Sequence, residues 1–293
     1  VTIFESHDKI GGVLRYGIPE FRLPKSVLDD FEYRHLLLKD IKVRPNTDVG
    51  KALRIEDLFR DGYKAVFIGT GVWRPNALHI KGESLGNVDF AINYLQNPDV
   101  YHLGNRLIVI GAGNAAMDVC RTALRNGTRH VDCFSLSRKI AASDYEASYA
   151  KLEGVQFFYN KKPVEITDRG VVFRDLQEAE DGTLTEIAGS EKLYPTDSVI
   201  VSISQGPCTT ITEDEKELKT NERGLFVTDE VGRTNVPGIF ASGDAVKGAR
   251  TVVEAVAYSK KVAEAMHEYM QTLPPEGPDP YADVPVVAYD DGN

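Results

Sequence analysis

The residues that could do chemistry are concentrated in a glycine motif between an apolar strand and a helix. In this 293-residue chain, Gly111, Gly113 and Ala116 follow a predicted strand over 106–110, and they open a helix predicted over 115–126. Gly111 allows a tight turn, Gly113 lets the backbone approach a pyrophosphate, and Ala116 keeps the helix close to the strand. The start of the helix would offer free N–H groups and a positive dipole end to phosphates. The motif predicts a dinucleotide site, and an ordinary glycine turn in an α/β protein is the alternative.

The type of nucleotide is predicted from the end of the next strand, 131–136. An acidic residue there would hold a ribose 2′-OH, whereas an arginine would favour a 2′-phosphate. The strand ends without an acid, and Ser137, Arg138 and Lys139 follow it. This basic loop favours NADP(H) over NAD(H) as the ligand, and a basic loop that is merely solvated is the alternative.

A second type of ribose-binding residue, an acid at a strand end, is found at Glu5. This residue closes a short apolar strand over 1–4. The glycine motif that accompanies such an acid lies about 20 residues earlier in a chain, which would place it ahead of Val1. We therefore expect either that Glu5 is a plain surface acid or that the chain lacks the first strand and helix of this unit.

A third element combines a glycine-flanked acid with the start of a long helix. Gly243 and Asp244 close a predicted strand and turn over 239–244, and the helix is predicted to begin at Thr251. Asp244 could accept hydrogen bonds from ribityl or ribose hydroxyls. The helix dipole could stabilise the negative charge that gathers at N1–C2=O of a reduced flavin. The alternative is an ordinary turn in which Asp244 acts as a helix cap.

The segments that must position these residues alternate between strands and helices. Continuous apolar strands at 106–110 and 197–204 are typical of a parallel sheet that is covered on both faces. Three antiparallel strands are predicted over 163–187, and a helix is predicted over 26–38 with Ser26 as its N-cap. The alternation predicts an α/β fold with parallel sheets.

Composition excludes several classes of protein. Apolar residues make up 42% of the chain and charged residues 27%, as in ordinary globular proteins. No apolar run reaches the roughly 18 residues that a membrane helix needs. The net charge of −10, from 34 basic and 44 acidic residues, argues against nucleic acid and the membrane as partners.

The three cysteines, Cys120, Cys133 and Cys208, form no CxxC pair. This spacing excludes a disulfide scaffold, a four-cysteine metal site and the dithiol of a thioredoxin-reductase-like enzyme. The six histidines show no metal-ligand spacing, so no metal ligand is predicted. A reducing, cytoplasmic location fits this cysteine usage best.

Four motifs, in the same order and without large gaps, resemble the glutamate synthase small (beta) subunit family. That family includes the NADPH-oxidising part of dihydropyrimidine dehydrogenase and the NADH-dependent ferredoxin:NADP oxidoreductases. The matching segments are 11–24 (flavin loop), Thr70-Gly71 (end of a flavin-domain strand), 109–118 (NADPH motif) and 237–244 with 251–256 (carboxy-terminal flavin motif). The resemblance extends from Val1 to about Tyr269.

The resemblance implies two nested, Rossmann-like dinucleotide-binding domains. A split FAD-binding domain would comprise residues 1–102 and 206–275, an NAD(P)H-binding domain residues 103–205, and a tail residues 276–293. Hydride would pass from nicotinamide C4 to flavin N5, and electrons would continue to iron–sulfur clusters and an electron-accepting subunit. The flavin does this chemistry, so no catalytic side chain is predicted.

The resemblance also implies a role for each matched residue. Glu5 would hold the FAD ribose, and Val49 would meet the adenine. Lining of the isoalloxazine and pyrophosphate is implied for Gly12, Leu14, Arg15 and Ile18. Binding of the diphosphate–ribityl region and the flavin C2=O is implied for Asp244 and Thr251, and binding of NADPH for Gly113, Asn114, Ala115 and Arg138. The predicted cofactor-binding set also contains Thr70, Gly71, Gly111, Ala116, Lys139 and Gly243.

Three features of the family pattern differ in this sequence. The cysteine-rich iron–sulfur domain and the first FAD strand with its glycine loop are not found, so the clusters would lie in missing or partner segments. The paired arginines that usually follow the second strand of the NADPH domain are replaced by Ser137-Arg138-Lys139. We therefore expect a truncated chain that binds NADP(H) better than FAD and has little reductase activity. A catalytically inert NAD(P)-binding module is the alternative.

Overall fold

The computed structural model describes residues 1–275 and 277, along which strands and helices alternate. The strands are β1 (Thr2–Phe4), β2 (Lys42–Arg44), β3 (Val66–Ile68), β4 (Arg74–Pro75), β5 (Val88–Phe90), β6 (Arg106–Ile110), β7 (His130–Phe134), β8 (Gln156–Phe158), β9 (Lys161–Thr167), β10 (Gly170–Glu178), β11 (Leu184–Glu186), β12 (Lys192–Pro195), β13 (Ser198–Val201), β14 (Gln205–Gly206) and β15 (Ile239–Ala241). The α-helices are α1 (Val13–Tyr16), α2 (Lys25–Phe31), α3 (Ile55–Arg60), α4 (Ala91–Gln96), α5 (Asn114–Arg125), α6 (Asp144–Leu152), α7 (Thr210–Asp214), α8 (Asp244–Lys247) and α9 (Val252–Gln271). The predicted tail, 276–293, lies outside the described residues apart from Gly277.

A parallel sheet with the strand order β5-β13-β6-β7-β8 surrounds the predicted dinucleotide motif. We call the part of the chain from β5 to β13 the nucleotide half. In β6, the side chains from Leu107 to Ile110 are at most 3% exposed. Leu107 and Val109 pack with residues of α5 and α6, whereas Ile108 and Ile110 pack with residues of β9 and β10 on the opposite face. Because both faces of the strand are covered there, every position from Leu107 to Ile110 is apolar. The predicted α/β arrangement with a parallel sheet is confirmed.

The face opposite the helices is covered by an antiparallel sheet in which β10 pairs with β9, β11 and β12. Phe134, which ends β7, stacks on Phe173 of β10 with ring centroids 4.0 Å apart and planes within 9°. Both rings are almost completely buried. Their contact therefore joins the two sheets through apolar burial and aromatic stacking.

Two short parallel pairs, β1–β2 and β3–β15, form the sheets of the terminal parts of the chain. Ser242 N donates a hydrogen bond to Ile68 O at 3.1 Å, so the loops after β3 and β15 lie at the same sheet edge. The antiparallel pair β4–β14 lies where the chain enters and leaves the nucleotide half. The domain boundaries stay a prediction; β5, which precedes position 103, pairs with β13 in the five-stranded sheet.

The helix predicted over 26–38 differs from the prediction in its start and in its regularity. It begins at Lys25, and Pro24 occupies the N-cap position without a capping side chain, so the assignment of Ser26 as N-cap is wrong. Pro24 has extended ψ of 129° and a proline-fixed φ of −56°, which place the N-cap two residues earlier than predicted. The helix continues as a π-helix over Glu32–Leu36 and ends in a 3₁₀ turn over Leu37–Lys39.

Candidate cofactor-binding site

The turn between β6 and α5 has the close approaches that a dinucleotide motif requires. Gly111 has a φ of 114°, and a Cβ at this position would lie 2.1 Å from the carbonyl oxygen of Ser202. Ala116 is completely buried against the sheet. A Cβ on Gly113, in contrast, would meet nothing within 4 Å. The turn is closed at Gly111 and open at Gly113, where a phosphate group would have room.

The start of α5 presents backbone donors to this open space. Gly113 is the N-cap, and no side chain of the described residues caps the helix, so the N–H groups of Asn114 and Ala115 have no intrahelical acceptors. The Asn114 side chain is engaged elsewhere, because its Oδ1 accepts a hydrogen bond from Ser143 N at 2.9 Å. Asn114 and Ala115 therefore offer main-chain N–H groups, which suit phosphate oxygens.

The basic loop after β7 lies beside an acid that is not in the predicted set. Arg138 N donates a hydrogen bond to Oε2 of Glu178, the last residue of β10, at 2.9 Å. Ser137 Oγ donates to Lys139 O at 2.8 Å, which orders the loop. The side chains of Arg138 and Lys139 are exposed, and neither forms an ion pair with any described residue. Arg138 and Glu178 are 40 positions apart, so no local spacing could have signalled this contact.

The loop over 11–24 is folded around the Arg15 side chain, which is only 8% exposed. Its Nε donates to Ile10 O at 2.8 Å, and its NH2 donates to Oδ1 of Asp29 in α2 at 2.8 Å. Gly12 has a φ of 50°, which allows α1 to begin directly after it. The Arg15 guanidinium is thus committed to holding the loop against α2.

A single lysine fixes the two apolar residues predicted from the same loop. Lys25 Nζ donates to the main-chain oxygen of Leu14 at 2.8 Å and also to that of Ile18. Partial burial lowers the pKa of Lys25. The two carbonyl groups therefore point toward Lys25, and the loop has a defined shape on the side that faces α2.

Glu5 lies at the carboxyl end of β1, as the sequence predicted for a ribose-binding acid. Its Oε1 accepts hydrogen bonds from His7 N and His7 Nδ1, both at 2.9 Å. Its main-chain oxygen accepts from Thr47 N at 2.8 Å, which brings the loop after β2 beside it. Val49, farther along that loop, is partly buried against the apolar cluster that contains Ile55.

Trp73 is absent from the predicted set, yet three predicted segments meet at its indole. The His7 ring, next to the end of β1, lies 5.0 Å from the Trp73 ring between centroids. A Cβ on Gly12 would lie 3.9 Å from Cζ2 of Trp73, and one on Gly71 would lie 3.6 Å from its Nε1. Thr70 and Gly71 follow β3 after Gly69, and Thr70 is exposed whereas Gly71 is half-buried. The tryptophan therefore joins the ends of β1 and β3 to the 11–24 loop.

The residues after β15 form two helix starts, of which only the second is capped by a side chain. Gly243 has a φ of 67° and leads into α8 at Asp244. Oδ1 of Asp244 accepts a hydrogen bond from Arg250 N at 3.1 Å, and burial raises the pKa of Asp244. Thr251 caps α9: its Oγ1 accepts from Glu254 N at 3.3 Å, while the Glu254 carboxylate accepts from Thr251 N at 3.1 Å. This capping box places a carboxylate of the chain itself at the positive end of α9.

A cluster of charged residues joins the 11–24 loop to α5 and α6. We call it the Arg22 cluster; its members are Arg22, Asp118, Glu146 and Arg121. Arg22 NH1 lies 2.7 and 2.8 Å from the two carboxylate oxygens of Asp118, and its NH2 lies 2.8 Å from Glu146. Arg121 NH1 donates to Glu146 at 2.9 Å. Burial raises the pKa of Asp118 from 3.8 to about 6. No spacing motif links these residues, so the sequence did not reveal the cluster.

Two of the three cysteines lie beneath the dinucleotide turn. Cys133 Sγ donates to the main-chain oxygen of Gly111 at 3.3 Å, and both Cys120 and Cys133 are completely buried. Burial raises the pKa of the Cys120 thiol well above its usual range. A thiol that stays protonated is a poor nucleophile, so Cys120 acts as a core residue, and Cys133 does so because it is buried beneath the turn.

Among the described residues, no helix has both the length and the apolar character needed to cross a membrane.

Residues 30–259 match the sequence profile of the family described as pyridine nucleotide-disulphide oxidoreductase. The glutamate synthase [NADPH] small chain of Azospirillum brasilense is 34% identical over 299 residues, covering 92% of this chain and 61% of that protein. The NAD-dependent dihydropyrimidine dehydrogenase subunit PreT of Salmonella typhimurium is 30% identical, covering 92% of this chain and 63% of that protein. The chain thus spans about three fifths of the length of these relatives.

The solved structure of Mycobacterium tuberculosis FprA in complex with NADPH has a similar fold. It superimposes with a TM-score of 0.77 at 18% identity, over 92% of this chain and 77% of that chain. At this level of identity the similarity concerns the fold alone. Together with the family match, it confirms the predicted fold class, an α/β protein of the dinucleotide-binding type.

Proposed function

The chain belongs to the pyridine nucleotide-disulphide oxidoreductase family, and on that premise we propose that it is a flavin-dependent oxidoreductase that carries hydride from NADPH to FAD. The turn after β6 carries this proposal. It is closed at Gly111 and open at Gly113, in front of the unpaired N–H groups of α5. The relative named glutamate synthase [NADPH] small chain supports NADPH as the hydride donor.

The residues on the nucleotide side fit a dinucleotide that bears phosphate groups. The open space at Gly113 would take the pyrophosphate, and the N–H groups of Asn114 and Ala115 would bind its oxygens. The cations of Arg138 and Lys139 would pair with a 2′-phosphate. Gly111 and Ala116 would hold the turn in shape without touching the ligand.

The residues on the flavin side include glycines and an acid that fit the ribose and diphosphate of FAD. Glu5 would bind a ribose, since its Oε2 has no hydrogen-bond partner within residues 1–275 and 277. Gly71 and Gly243, with φ of 70° and 67°, keep the backbone free of side chains where a diphosphate would pass. FAD, when bound, supplies the acceptor for the nicotinamide hydride and releases electrons singly. The other residues proposed to contact FAD are Gly12, Leu14, Arg15, Ile18, Val49, Thr70, Asp244 and Thr251.

We place the FAD residues in a split domain, 1–102 and 206–275, and the nucleotide residues in 103–205. Electrons would leave the flavin for iron–sulfur clusters in a partner subunit. The names of the relatives, a small chain and a subunit, support an assembly of several chains. The unpaired cysteines support a reducing compartment such as the cytoplasm.

A catalytically inert NAD(P)-binding module is the second candidate. It is favoured by the flavin side, where the described strands form two separate two-stranded sheets, and by Glu254, which already occupies the start of α9. For the same reasons, we expect the chain purified without added FAD to contain little flavin.

NADPH-dependent reduction of an artificial dye separates the two candidates. The oxidoreductase predicts dye reduction that appears when FAD is added to the chain and that is lost in Gly113→Ala. Binding of NADPH without dye reduction, at saturating FAD, would establish the inert module instead.

A further inference from the structure

Glu178 lies at the position where a dinucleotide fold distinguishes NADP(H) from NAD(H). We propose that Glu178 is a specificity-determining residue, whose carboxylate lets this chain accept NAD(H) and limits its preference for NADP(H). The proposal rests on the proposed function, because it concerns the nucleotide site at the end of β7. It goes further, because it adds an acid where the sequence showed only a basic loop.

The geometry places this acid at the end of the second strand of the nucleotide domain. Ser135 N donates to Phe158 O at 2.8 Å, and Lys161 N donates to Ser135 O at 3.0 Å, so the loop after β7 crosses onto the antiparallel sheet. There the Glu178 carboxylate accepts the Arg138 N–H at 2.9 Å. An acid at this strand end accepts the ribose 2′-OH in NAD-binding folds. Glu178 supplies this acid from β10 rather than from β7.

The charges around Arg138 act on a 2′-phosphate in opposite directions. The exposed side chains of Arg138 and Lys139 would attract it. The Glu178 carboxylate would repel it, since like charges at contact distance are unfavourable near a protein surface. Glu178 also occupies the Arg138 N–H, which would otherwise be a donor to the phosphate. A 2′-OH, in contrast, can donate a hydrogen bond to the carboxylate. The two effects together reduce the difference in affinity by which NADP(H) is favoured over NAD(H).

A cavity of about 390 Å³ beside this pair has the chemistry of a purine site. Its lining includes Arg138, Glu178, Leu176 and Ile187, together with Asn160. The Oδ1 of Asn160 is buried and has no hydrogen-bond partner among the described residues. An unpaired amide oxygen beside apolar side chains suits an adenine ring, whose amino group is a donor. A ligand that places adenine there would bring its 2′ substituent within reach of Glu178.

The relatives leave the choice of nucleotide open. One is named for NADPH and another is named NAD-dependent, although their identities to this chain are similar at 34% and 30%. Residues outside the glycine motif must therefore contribute to the choice, and Glu178 is placed to do so.

The test is the equilibrium binding of 2′,5′-ADP and of 5′-AMP to the full chain, measured by calorimetry without FAD. These ligands differ only in the 2′-phosphate. In Glu178→Gln, we expect the affinity for 2′,5′-ADP to rise about tenfold, the scale of one charged contact, while that for 5′-AMP falls by up to about tenfold because the charged acceptor for the 2′-OH is lost. Glu180→Gln is the matched control, because it removes the same charge from an exposed position two residues away. It should leave both affinities within about twofold.

Each other outcome has a defined meaning. An unchanged ratio of the two affinities in folded Glu178→Gln overturns the role of Glu178, and so does an equal rise in Glu180→Gln. If Glu178→Gln does not fold, Glu178→Asp withdraws the carboxylate by one methylene and should shift the ratio in the same direction by a smaller factor. A wild-type chain that binds neither ligand overturns the proposed function itself.

Discussion

Arg22 and Asp118 form an ion pair that joins the two halves of the proposed site. Arg22 NH1 lies 2.7 and 2.8 Å from the two oxygens of the Asp118 carboxylate, whose side chain is 5% exposed. Arg22 belongs to the loop proposed to line the flavin, and Asp118 lies on the helix whose start is proposed to bind the pyrophosphate. Because the pair is shielded from water and has several hydrogen bonds, it holds the loop and the helix at a fixed separation.

Removal of the Arg22 guanidinium should therefore destabilise the chain. Arg22→Ala leaves the carboxylates of Asp118 and Glu146 buried with one cation fewer, which should lower the free energy of unfolding by about 3 kcal/mol. Urea denaturation measures this change. Arg34→Ala is the control, because Arg34 pairs with Asp30 at an exposed position and should cost less than about 0.5 kcal/mol. Equal losses of unfolding free energy in the two variants would show that the Arg22 cluster stabilises the chain no more than an exposed ion pair does.

The raised pKa of Asp118 predicts a dependence of stability on pH. Since burial raises this pKa from 3.8 to about 6, the folded chain takes up the proton at higher pH than the unfolded chain. Stability from this group is therefore greatest below pH 3.8 and is lost as the pH rises through 6. The free energy of unfolding of the wild type minus that of Asp118→Asn measures this contribution. This difference should be about 2 kcal/mol more positive at about pH 4.5 than at about pH 7. Urea denaturation of both proteins at the two pH values checks this, and a difference of the opposite sign would refute it.

The two glycines of the dinucleotide turn should respond differently to the same substitution. Gly111→Ala forces a Cβ to 2.1 Å from Ser202 O at a φ of 114°, so the free energy of unfolding should fall by more than about 2 kcal/mol. Gly113 has an extended backbone (φ −89°, ψ 179°), and its Cβ would meet nothing within 4 Å, so Gly113→Ala should keep its stability. It should nevertheless lose at least about tenfold in NADPH affinity, because the methyl group enters the space proposed for the pyrophosphate.

Thermal unfolding and NADPH binding, measured on both glycine variants, separate these effects. A Gly113→Ala chain that binds NADPH as tightly as the wild type would place the pyrophosphate elsewhere. A Gly111→Ala chain of wild-type stability would mean that the turn relaxes without cost.

Glu5 should affect FAD and leave NADPH unchanged. In Glu5→Gln, loss of the charged acceptor for a ribose hydroxyl should weaken FAD binding by about tenfold. The affinity for NADPH should stay the same, because Glu5 lies directly after β1 and the proposed nucleotide site lies at the end of β6. Fluorescence titration with each cofactor gives both values, and Glu222→Gln, at an exposed loop position, is the control. Equal weakening of both cofactors would indicate a general structural effect instead.

The parts that local spacing determines could be predicted from the sequence. Gly111 and Ala116 were found because turn, strand and helix are adjacent in the chain, and the apolar run of β6 showed that both sheet faces are covered. Glu178 and Arg22 were missed because their partners lie 40 and 96 positions away, and only the folded sheets and helices bring them together. The N-cap of α2 was misplaced by two residues because a proline, rather than a hydroxyl cap, fixes it.

The most direct test of hydride transfer is an anaerobic titration of the FAD-loaded chain with NADPH, followed in the visible absorption band of the flavin. If the chain is the proposed oxidoreductase, about one equivalent of NADPH should bleach each bound FAD, because a hydride carries both electrons that the flavin accepts. Gly113→Ala should need a large excess of NADPH to reach the same end point. Bound FAD that keeps its oxidised absorption spectrum at saturating NADPH would contradict the proposal.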